Sequence, residues 1–161
     1  MSTADAPLPA APTIEGAAPH VLVVRAPYYT DIVDGLRDGA LRIITEAGGT
    51  ADVLDVAGAL ELASTVLFAV KGTRRRYDAF VTLGCVVKGE TDHYTFICDA
   101  ISHGVMGIAA ETGAAIGFGL LTVDTLQQAI ARSSDDKHNK GAEAMHALLT
   151  QVGLRRRWGI K

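Results

Sequence analysis

The sequence predicts an α/β fold in which a four-stranded, mainly parallel sheet carries helices on both faces. Three observations predict it. Short apolar segments alternate with longer amphipathic ones, 17 glycines supply tight turns, and 48% of the 161 residues are apolar. Alternation of strand and helix is typical of parallel sheets. At this length a single domain is expected.

The alternation can be followed from Pro19 onward. Residues 21–25 predict a short apolar strand, and the helix after it carries apolar residues at every third or fourth position until Gly48-Gly49 ends it. Residues 51–56 predict the second strand, and the helix that follows ends at Lys71-Gly72. Both units fit the strand–turn–helix repeat of a parallel sheet.

The second half of the chain continues the pattern. A nearly continuous apolar run over residues 79–87 predicts a third strand that is buried on both faces. Its helix is expected over residues 92–111, and residues 115–121 predict the fourth strand. Asp124 is expected to cap a short helix, with Gln127 completing a capping box. The last helix carries apolar residues at helical spacing, namely Ala142, Met145, Leu149 and Val152. Gly153 and a basic end follow it.

The turn after the third strand has the features of an anion site. Thr91 is expected to be the N-cap of the next helix, and the backbone N–H groups of Gly89, Glu90 and Thr91 would point at a bound group. His93 follows in the first helical turn, and histidine is the side chain that moves protons near neutral pH. This segment predicts a phosphate cradle beside an acid–base group; a capped helix with a surface histidine is the alternative.

Parallel sheets bind their ligands beyond the carboxyl ends of the strands. Three turns therefore lie at the predicted ligand edge: residues 26–29, 57–61 and 88–93.

Composition and charge narrow the class of protein. Fifteen basic against 18 acidic residues give a net charge of −3, which offers no reason to expect nucleic acid as a partner. No apolar run approaches the roughly 20 residues of a membrane helix, and no signal peptide is recognised. Cys85 and Cys98 lack a disulfide or metal spacing and favour a reducing cytoplasm, and the histidines show no metal-ligand spacing. Residues 1–18 are small and proline-rich and predict a flexible arm, which leaves residues 19–161 as the single domain.

Four segments carry a resemblance to a known family. They are Tyr28-Tyr29; residues 56–61, Val-Ala-Gly-Ala-Leu-Glu; residues 84–94, Gly-Cys-Val-Val-Lys-Gly-Glu-Thr-Asp-His-Tyr; and residues 118–125, Phe-Gly-Leu-Leu-Thr-Val-Asp-Thr, followed by Arg132 and Asn139-Lys140-Gly141. In order and spacing these segments resemble lumazine synthase, over about residues 20–158. The resemblance implies a flavodoxin-like three-layer sandwich.

The resemblance also implies a reaction. The family condenses 5-amino-6-ribitylamino-uracil with 3,4-dihydroxy-2-butanone 4-phosphate to give 6,7-dimethyl-8-ribityllumazine, a transferase step of riboflavin biosynthesis that needs no cofactor and no metal. A Schiff base forms, phosphate leaves, and the ring closes. Alternatives from other classes are an archaeal-type riboflavin synthase, a non-catalytic or weakly active shell protein, and a flavin-binding module.

Site residues follow from the resemblance, position by position. His93 would shuttle protons. Tyr28 would stack on the pyrimidine. Gly58, Ala59 and Glu61 would hold its ribityl chain, and the backbone of residues 85–87 would bind the edge of the heterocycle. The amides of Glu90 and Thr91, together with Arg132, would hold the phosphate of the other substrate. The substrate-binding residues implied are Tyr28, Gly58, Ala59, Glu61, Cys85, Val86, Val87, Glu90, Thr91, Phe118, Arg132 and Lys140.

Four positions depart from the family pattern. Pro27 stands where the family often has Arg, Tyr28 replaces a more usual Phe or Trp, Ala57 replaces Pro, and Lys88 replaces Arg. Because an aromatic side chain is kept at position 28, the ring site is expected to persist. Changes at 27 and 57 alter backbone stiffness and are expected to weaken substrate binding.

Strand direction predicts a site shared between subunits. Phe118 lies early in the fourth strand, and Arg132 ends the helix expected to run back from that strand. Both are therefore expected near the amino edge of the sheet, roughly 17–20 Å from the turns at the carboxyl edge. One site including all these residues would need two chains in a head-to-tail ring. The resemblance implies a pentamer, with twelve pentamers in a 60-subunit shell as the larger form.

Overall fold

The computed structural model describes residues 10–72, 74, 76–134 and 137–160. Strands and helices alternate through this part of the chain. In order the elements are β1 (His20–Arg25), α1 (Thr30–Glu46), β2 (Thr50–Asp55), α2 (Glu61–Lys71), β3 (Ala79–Val87), α3 (His93–Thr112), β4 (Ile116–Val123), α4 (Leu126–Ser133) and α5 (Lys140–Arg157).

The strands form one all-parallel sheet in the order β2-β1-β3-β4. β1 and β2 end at the same level, since Arg25 lies opposite Asp55, and Arg25 also lies opposite Leu83 of β3. β3 then continues to Val87, which lies opposite Val123 at the end of β4. At about 3.3 Å per residue, the carboxyl edge of the sheet therefore has a step about 13 Å high between its two halves.

Helices cover both faces of the sheet, as the sequence predicts. On one face α1, α4 and α5 pack with the sheet around a core that includes Leu36, Val81 and Met145. On the other face α2 and α3 enclose a second core that includes Leu62 and Ile101. β3 is buried from Ala79 to Cys85, as its continuous apolar run predicts. The α/β fold, with a parallel sheet between two helical layers, is confirmed.

Two helices far apart in the chain, α1 and α5, meet closely because glycines lie at their contact. A methyl group at Gly141 would collide with the carbonyl of Leu36, one at Gly35 with the carbonyl of Ser133, and one at Gly39 with the side chain of Asn139. Backbone and polar side chains can therefore approach to hydrogen-bonding distance here. This contact fixes where α5 begins relative to α1.

Three helix ends differ from the sequence prediction. Asp92, not Thr91, precedes the first residue of α3, and its backbone is already helical, so that neither side chain caps the helix. The capping box of α4 is shifted by one residue: the Thr125 hydroxyl accepts from the Gln128 amide, and the Gln128 side chain accepts from the amide of Asp124. The last helix continues past its glycine to Arg157, because a single glycine costs only about 1 kcal/mol in a helix.

The predicted arm lies partly outside the described residues, which begin at residue 10. Residues 10–18 form neither helix nor strand. Ile14 is partly buried against the core, and Arg156 of α5 donates to the carbonyls of Glu15 and Ala17 at 2.7 Å each. The division of the chain at residue 18 stays a prediction.

Across the described ranges, no helix is both long enough and apolar enough to cross a membrane.

Candidate active site

Three strand-to-helix turns lie at the carboxyl edge of the sheet, where parallel sheets bind ligands. The first, after β1, carries Tyr28; the second, after β2, carries Gly58 and Glu61; the third, after β3, carries His93. The predicted residues of these turns are thus brought to one edge. The first two turns stand at the lower level of the step, and the third stands at the upper level.

The side of the step is formed by backbone that has no strand beside it. Leu83 accepts from the amide of Ala26, so the polar groups of Leu83 point toward β1. Since direction alternates along a strand, those of Cys85 and Val87 point the same way, beyond the end of β1. No described backbone segment hydrogen-bonds to Cys85 or Val87 on this side. A flat heterocycle offering donors and acceptors along one edge can pair with this backbone as a strand would.

Tyr28 lies in the turn after β1, at the lower level of the step. Its side chain is 80% exposed, and its ring meets the ring of Tyr29 edge-on, with centroids 5.1 Å apart. The hydroxyl of Thr30 donates to the carbonyl of Pro27, which closes the turn. An exposed aromatic ring held at its base is suited to stacking on a planar ligand.

The turn after β2 offers hydrogen-bonding groups on a flexible backbone. The amide of Glu61 donates to the carbonyl of Gly58, and the amide of Leu62 to that of Ala59, at 3.2 Å each. The exposed Glu61 carboxylate lies so close to Gly58 that a methyl group there would be 3.1 Å from its Oε2. A polyol chain finds both carboxylate and amide partners here.

The third turn has free amides and an exposed histidine. Within the described residues, the amides of Gly89, Glu90 and Thr91 donate to no backbone carbonyl, and the His93 ring has no hydrogen-bond partner. They lie at the N-terminus of the 20-residue helix α3, where the helix dipole favours an anion. These amides are therefore available to a bound anion although Thr91 does not cap the helix, and the anion site itself stays a prediction.

Burial raises the pKa of three groups near this edge, two thiols and a phenol. Desolvation raises the pKa of the Cys85 thiol to about 11, and it also raises the pKa of the Cys98 thiol and of the Tyr94 hydroxyl. Cys85 therefore contributes backbone groups rather than a nucleophile.

Phe118 is not at this edge. It lies opposite Thr82, five residues before the end of β4, which is about 17 Å below the upper level of the edge. Its ring is partly buried against the core formed by α2 and α3. The predicted early position in the strand is confirmed.

The predicted position of Arg132 at the amino edge is wrong. Ser133, the next residue, has its carbonyl against Gly35 in the second turn of α1, and α1 begins at the carboxyl edge. Over eight residues, about 12 Å, α4 therefore crosses toward α1 instead of running the length of the sheet. Arg132 is half-buried and donates from Nη1 to the carbonyl of Gln128 at 3.0 Å. It lies on the helical face opposite to that of α3.

Lys140 lies at the start of α5, on that same opposite face. Its side chain is 13% exposed, and its Nζ is 2.5 Å from the Glu143 carboxylate. Residues 135 and 136, which connect α4 to this region, lie outside the described residues.

Sequence reasoning assigned no role to Asn139, which organises this region. It is 1% exposed and caps α5, its Oδ1 accepting from the Ala142 amide at 2.9 Å. Its Nδ2 donates to the carbonyls of Gly35, Ser133 and Ser134 at 2.9–3.1 Å. The signal was available, because Asn before a helix start is a preferred N-cap.

Among the described residues, no group of three or more His, Cys, Asp or Glu side chains gathers where a metal ion could be held. The polar groups at the edge include backbone amides, the carboxylates of Glu61, Glu90 and Asp92, and an imidazole, which together can hydrogen-bond to polar organic ligands.

Fold and edge together define an α/β protein of flavodoxin-like architecture whose ligand edge carries an exposed aromatic ring and a helix N-terminus with unpaired amides. A family model, 6,7-dimethyl-8-ribityllumazine synthase, matches residues 18–156. The chain belongs to this family, whose members are transferases of riboflavin biosynthesis.

Curated relatives agree over most of their length. The 6,7-dimethyl-8-ribityllumazine synthase of Nitrobacter winogradskyi is 41% identical over 155 residues, 94% of each chain. That of Bartonella henselae is 39% identical over 140 residues, 87% of this chain and 90% of the relative. That of Agrobacterium fabrum is 39% identical over 144 residues, 88% of this chain and 97% of the relative. The family resemblance seen in the sequence is confirmed.

Proposed function

We propose that this chain condenses 5-amino-6-ribitylamino-uracil with 3,4-dihydroxy-2-butanone 4-phosphate to form 6,7-dimethyl-8-ribityllumazine. The observation that carries the proposal is the stepped carboxyl edge. It brings an exposed aromatic ring, unpaired strand backbone and a helix N-terminus with a histidine to the ends of two neighbouring strands at one edge of the sheet. These are the partners that a pyrimidine, a phosphate and a proton transfer require.

The pyrimidine binds in the step. Its ring stacks on Tyr28, and its polar edge pairs with the backbone of Cys85 and Val87, with the side chain of Val86 beside it. The ribityl chain extends along Gly58 and Ala59 to the Glu61 carboxylate. The free backbone of β3 supports this placement, since unpaired donors and acceptors favour a ligand that satisfies them.

The phosphate of the second substrate binds at the start of α3. Its oxygens accept from the amides of Gly89, Glu90 and Thr91, and the helix dipole favours its charge. Arg132 completes the phosphate site from another chain, where a guanidinium adds charge-assisted hydrogen bonds.

His93 moves the protons of the reaction. Imine formation between the amine and the ketone, loss of phosphate and ring closure each need a proton taken from or given to a substrate atom. His93 is exposed at the phosphate end of the site, where those atoms would lie. Because amine and ketone are themselves reactive, a modest acid–base contribution is expected.

The site is shared between two subunits. Phe118 is about 17 Å below the upper level of the edge, and Arg132 and Lys140 lie across the sheet from α3. One chain therefore gives Tyr28, Glu61 and His93, and a neighbour gives the other residues in a head-to-tail ring. We propose a pentamer in the cytoplasm, with a 60-subunit shell as the larger form; the free thiols of Cys85 and Cys98 fit that compartment.

The direct test mixes the two substrates with purified protein and follows lumazine absorbance and fluorescence. Turnover that needs both substrates and is lost on boiling supports the proposal. A yellow protein that binds flavin without turnover, or conversion of the lumazine itself to riboflavin, contradicts it.

The shared site has its own test. His93→Ala and Arg132→Ala proteins, each impaired alone, are unfolded together and co-assembled, and mass spectrometry verifies that mixed rings form. Some interfaces then hold both native residues, and activity should partly return. No recovery in proven mixed rings, or full activity in an isolated monomer, would refute a shared site.

A further inference from the structure

We infer that Arg25 is a positioning residue for the ring-binding part of the site, because its guanidinium locks together the chain segments that carry Tyr28 and Gly58. The inference rests on the proposed function only in naming the ligand that these segments hold.

Arg25 is the last residue of β1, and it joins three elements. Its Nε donates to Asp55 Oδ1 at 2.5 Å and its Nη2 to Asp55 Oδ2 at 3.1 Å, a two-bond clamp on the last residue of β2. Its Nη1 donates to Asp34 in the second turn of α1. The Arg25 side chain is only 14% exposed, so it is held along its length as well as at its tip. Bidentate pairs of this kind fix orientation as well as distance.

The clamp lies at the base of both ring-binding turns. The carbonyl of Arg25 accepts from the amide of Val56, and the next residue, Ala26, donates to Leu83, both at 2.9 Å. Tyr28 and Gly58 each follow three residues beyond the clamped pair, Arg25 and Asp55. The separation of the two turns is therefore set by the pair beneath them.

Above the clamp the two turns have few other restraints. Tyr28 is largely exposed, and Gly58 has the widest backbone freedom of any residue type. Their described hydrogen bonds stay within each turn, from Thr30 to Pro27 and from Glu61 to Gly58. No such bond joins one turn to the other above the level of Val56. The position of these two turns relative to each other therefore depends on the clamp.

The charge state of the clamp is suited to this role. Hydrogen bonding to Arg25 lowers the pKa of Asp55 below its ordinary value, so Asp55 is ionised at neutral pH. Asp55 is half exposed, and such a pair adds little to overall stability. Its effect is therefore expected in the geometry of the turns rather than in the melting temperature. Lysine cannot fully replace Arg25, since an ammonium group lacks the planar fork of a guanidinium.

The first experiment measures steady-state kinetics of Arg25→Gln with each substrate varied in turn. The KM for the ribitylamino-uracil should rise about tenfold, below the roughly 10²-fold that a 1 Å misplacement can cost. The KM for the butanone phosphate should change less than about twofold, because that substrate binds at the third turn. Arg25→Lys should restore part of the loss.

The matched control is Arg37→Gln. Arg37 belongs to the same charged group, pairing with Asp34 and Asp38 at 2.7 Å, but does not touch Asp55. Both of its KM values should stay at wild-type levels. Equal rises in both KM values for Arg25→Gln, or the same change in Arg37→Gln, would overturn the inference. If Arg25→Gln does not fold, the Arg25→Lys kinetics decide by the same criteria.

Amide hydrogen exchange gives a readout that needs no turnover. Exchange over residues 26–29 and 56–60 should become faster in Arg25→Gln and not in Arg37→Gln. Unchanged exchange would refute the clamp and leave the proposed function standing. A wild-type protein without turnover would refute the function, while faster exchange in Arg25→Gln would still support the clamp.

Discussion

Replacing Asn139 by alanine tests whether one buried amide holds α1, α4 and α5 together. The substitution removes the N-cap of α5, worth about 1 kcal/mol. It also removes the Nδ2 donor, whose two hydrogens are shared among the carbonyls of Gly35, Ser133 and Ser134. Counting two bonds at about 1 kcal/mol each, the free energy of unfolding should fall by about 3 kcal/mol in total.

The assay is thermal unfolding at fixed protein concentration, because assembly makes the midpoint concentration-dependent. For a chain of this size, about 3 kcal/mol corresponds to roughly 6–12 °C. Thr125→Ala is the matched control. Thr125 also caps a helix, accepting from the Gln128 amide at 3.3 Å, but it is exposed and its side chain makes no other described hydrogen bond. Its loss should cost about 1 kcal/mol or less.

Asn139→Asp separates the two parts of the effect. The carboxylate keeps the capping oxygen and suits the helix dipole, but it places negative charge against three carbonyls and has no hydrogen to donate. The Asn139→Asp protein should be destabilised nearly as much as the Asn139→Ala protein. If Asn139→Ala melts as close to wild type as Thr125→Ala does, the amide is only a cap and the three-helix link is wrong.

Three further predictions concern the site. His93→Ala should lower kcat by about 10²-fold with little change in ligand binding, the low end for acid–base catalysis, and wild-type turnover at saturating substrate would leave it a surface residue. Arg132→Ala should raise the KM for the butanone phosphate more than that for the pyrimidine, and free sulfate should compete with the former only; equal changes would count against a phosphate role. Iodoacetamide at pH 8 should label Cys98 before Cys85. The buried Cys85 thiol, with a pKa of about 11, is only about 0.1% thiolate at that pH, so the labelling of Cys85 should rise steeply as the pH is raised. Peptide mapping identifies the labelled cysteine, and labelling of Cys85 before Cys98 would contradict the burial of Cys85.

Local pattern was sufficient for the sheet and for its ligand edge. The apolar run of β3 marked a strand covered on both faces, and burial from Ala79 to Cys85 has that cause. Glycine and polar residues after each strand marked the turns that carry Tyr28, Glu61 and His93. These are short-range signals, in which a few neighbouring residues decide the local conformation.

Local pattern failed where the direction of a short helix depends on distant residues. The sequence after β4 predicts a helix, but nothing in it shows that Ser133 meets Gly35 nearly 100 residues earlier. Arg132 was therefore placed at the wrong edge. The start of α3 was misjudged for a related reason. Thr91 and Asp92 are both residue types that cap helices well, so the path of the chain after β3 decides between them. In the structure Asp92 precedes the helix, and its side chain makes no capping hydrogen bond.

The glycine contact between α1 and α5 has a consequence for biosynthesis. α1 is made early, yet Gly35 and Gly39 pack against Ser133 at the end of α4 and Asn139 at the N-cap of α5, which are made roughly 100 residues later. α5 also brings Met145 and Leu149 to the core. A nascent chain that stops before Lys140 therefore leaves exposed the part of this face that α5 covers. Such chains expose apolar surface to chaperones and to one another until the residues of α5 have emerged from the ribosome and can pack.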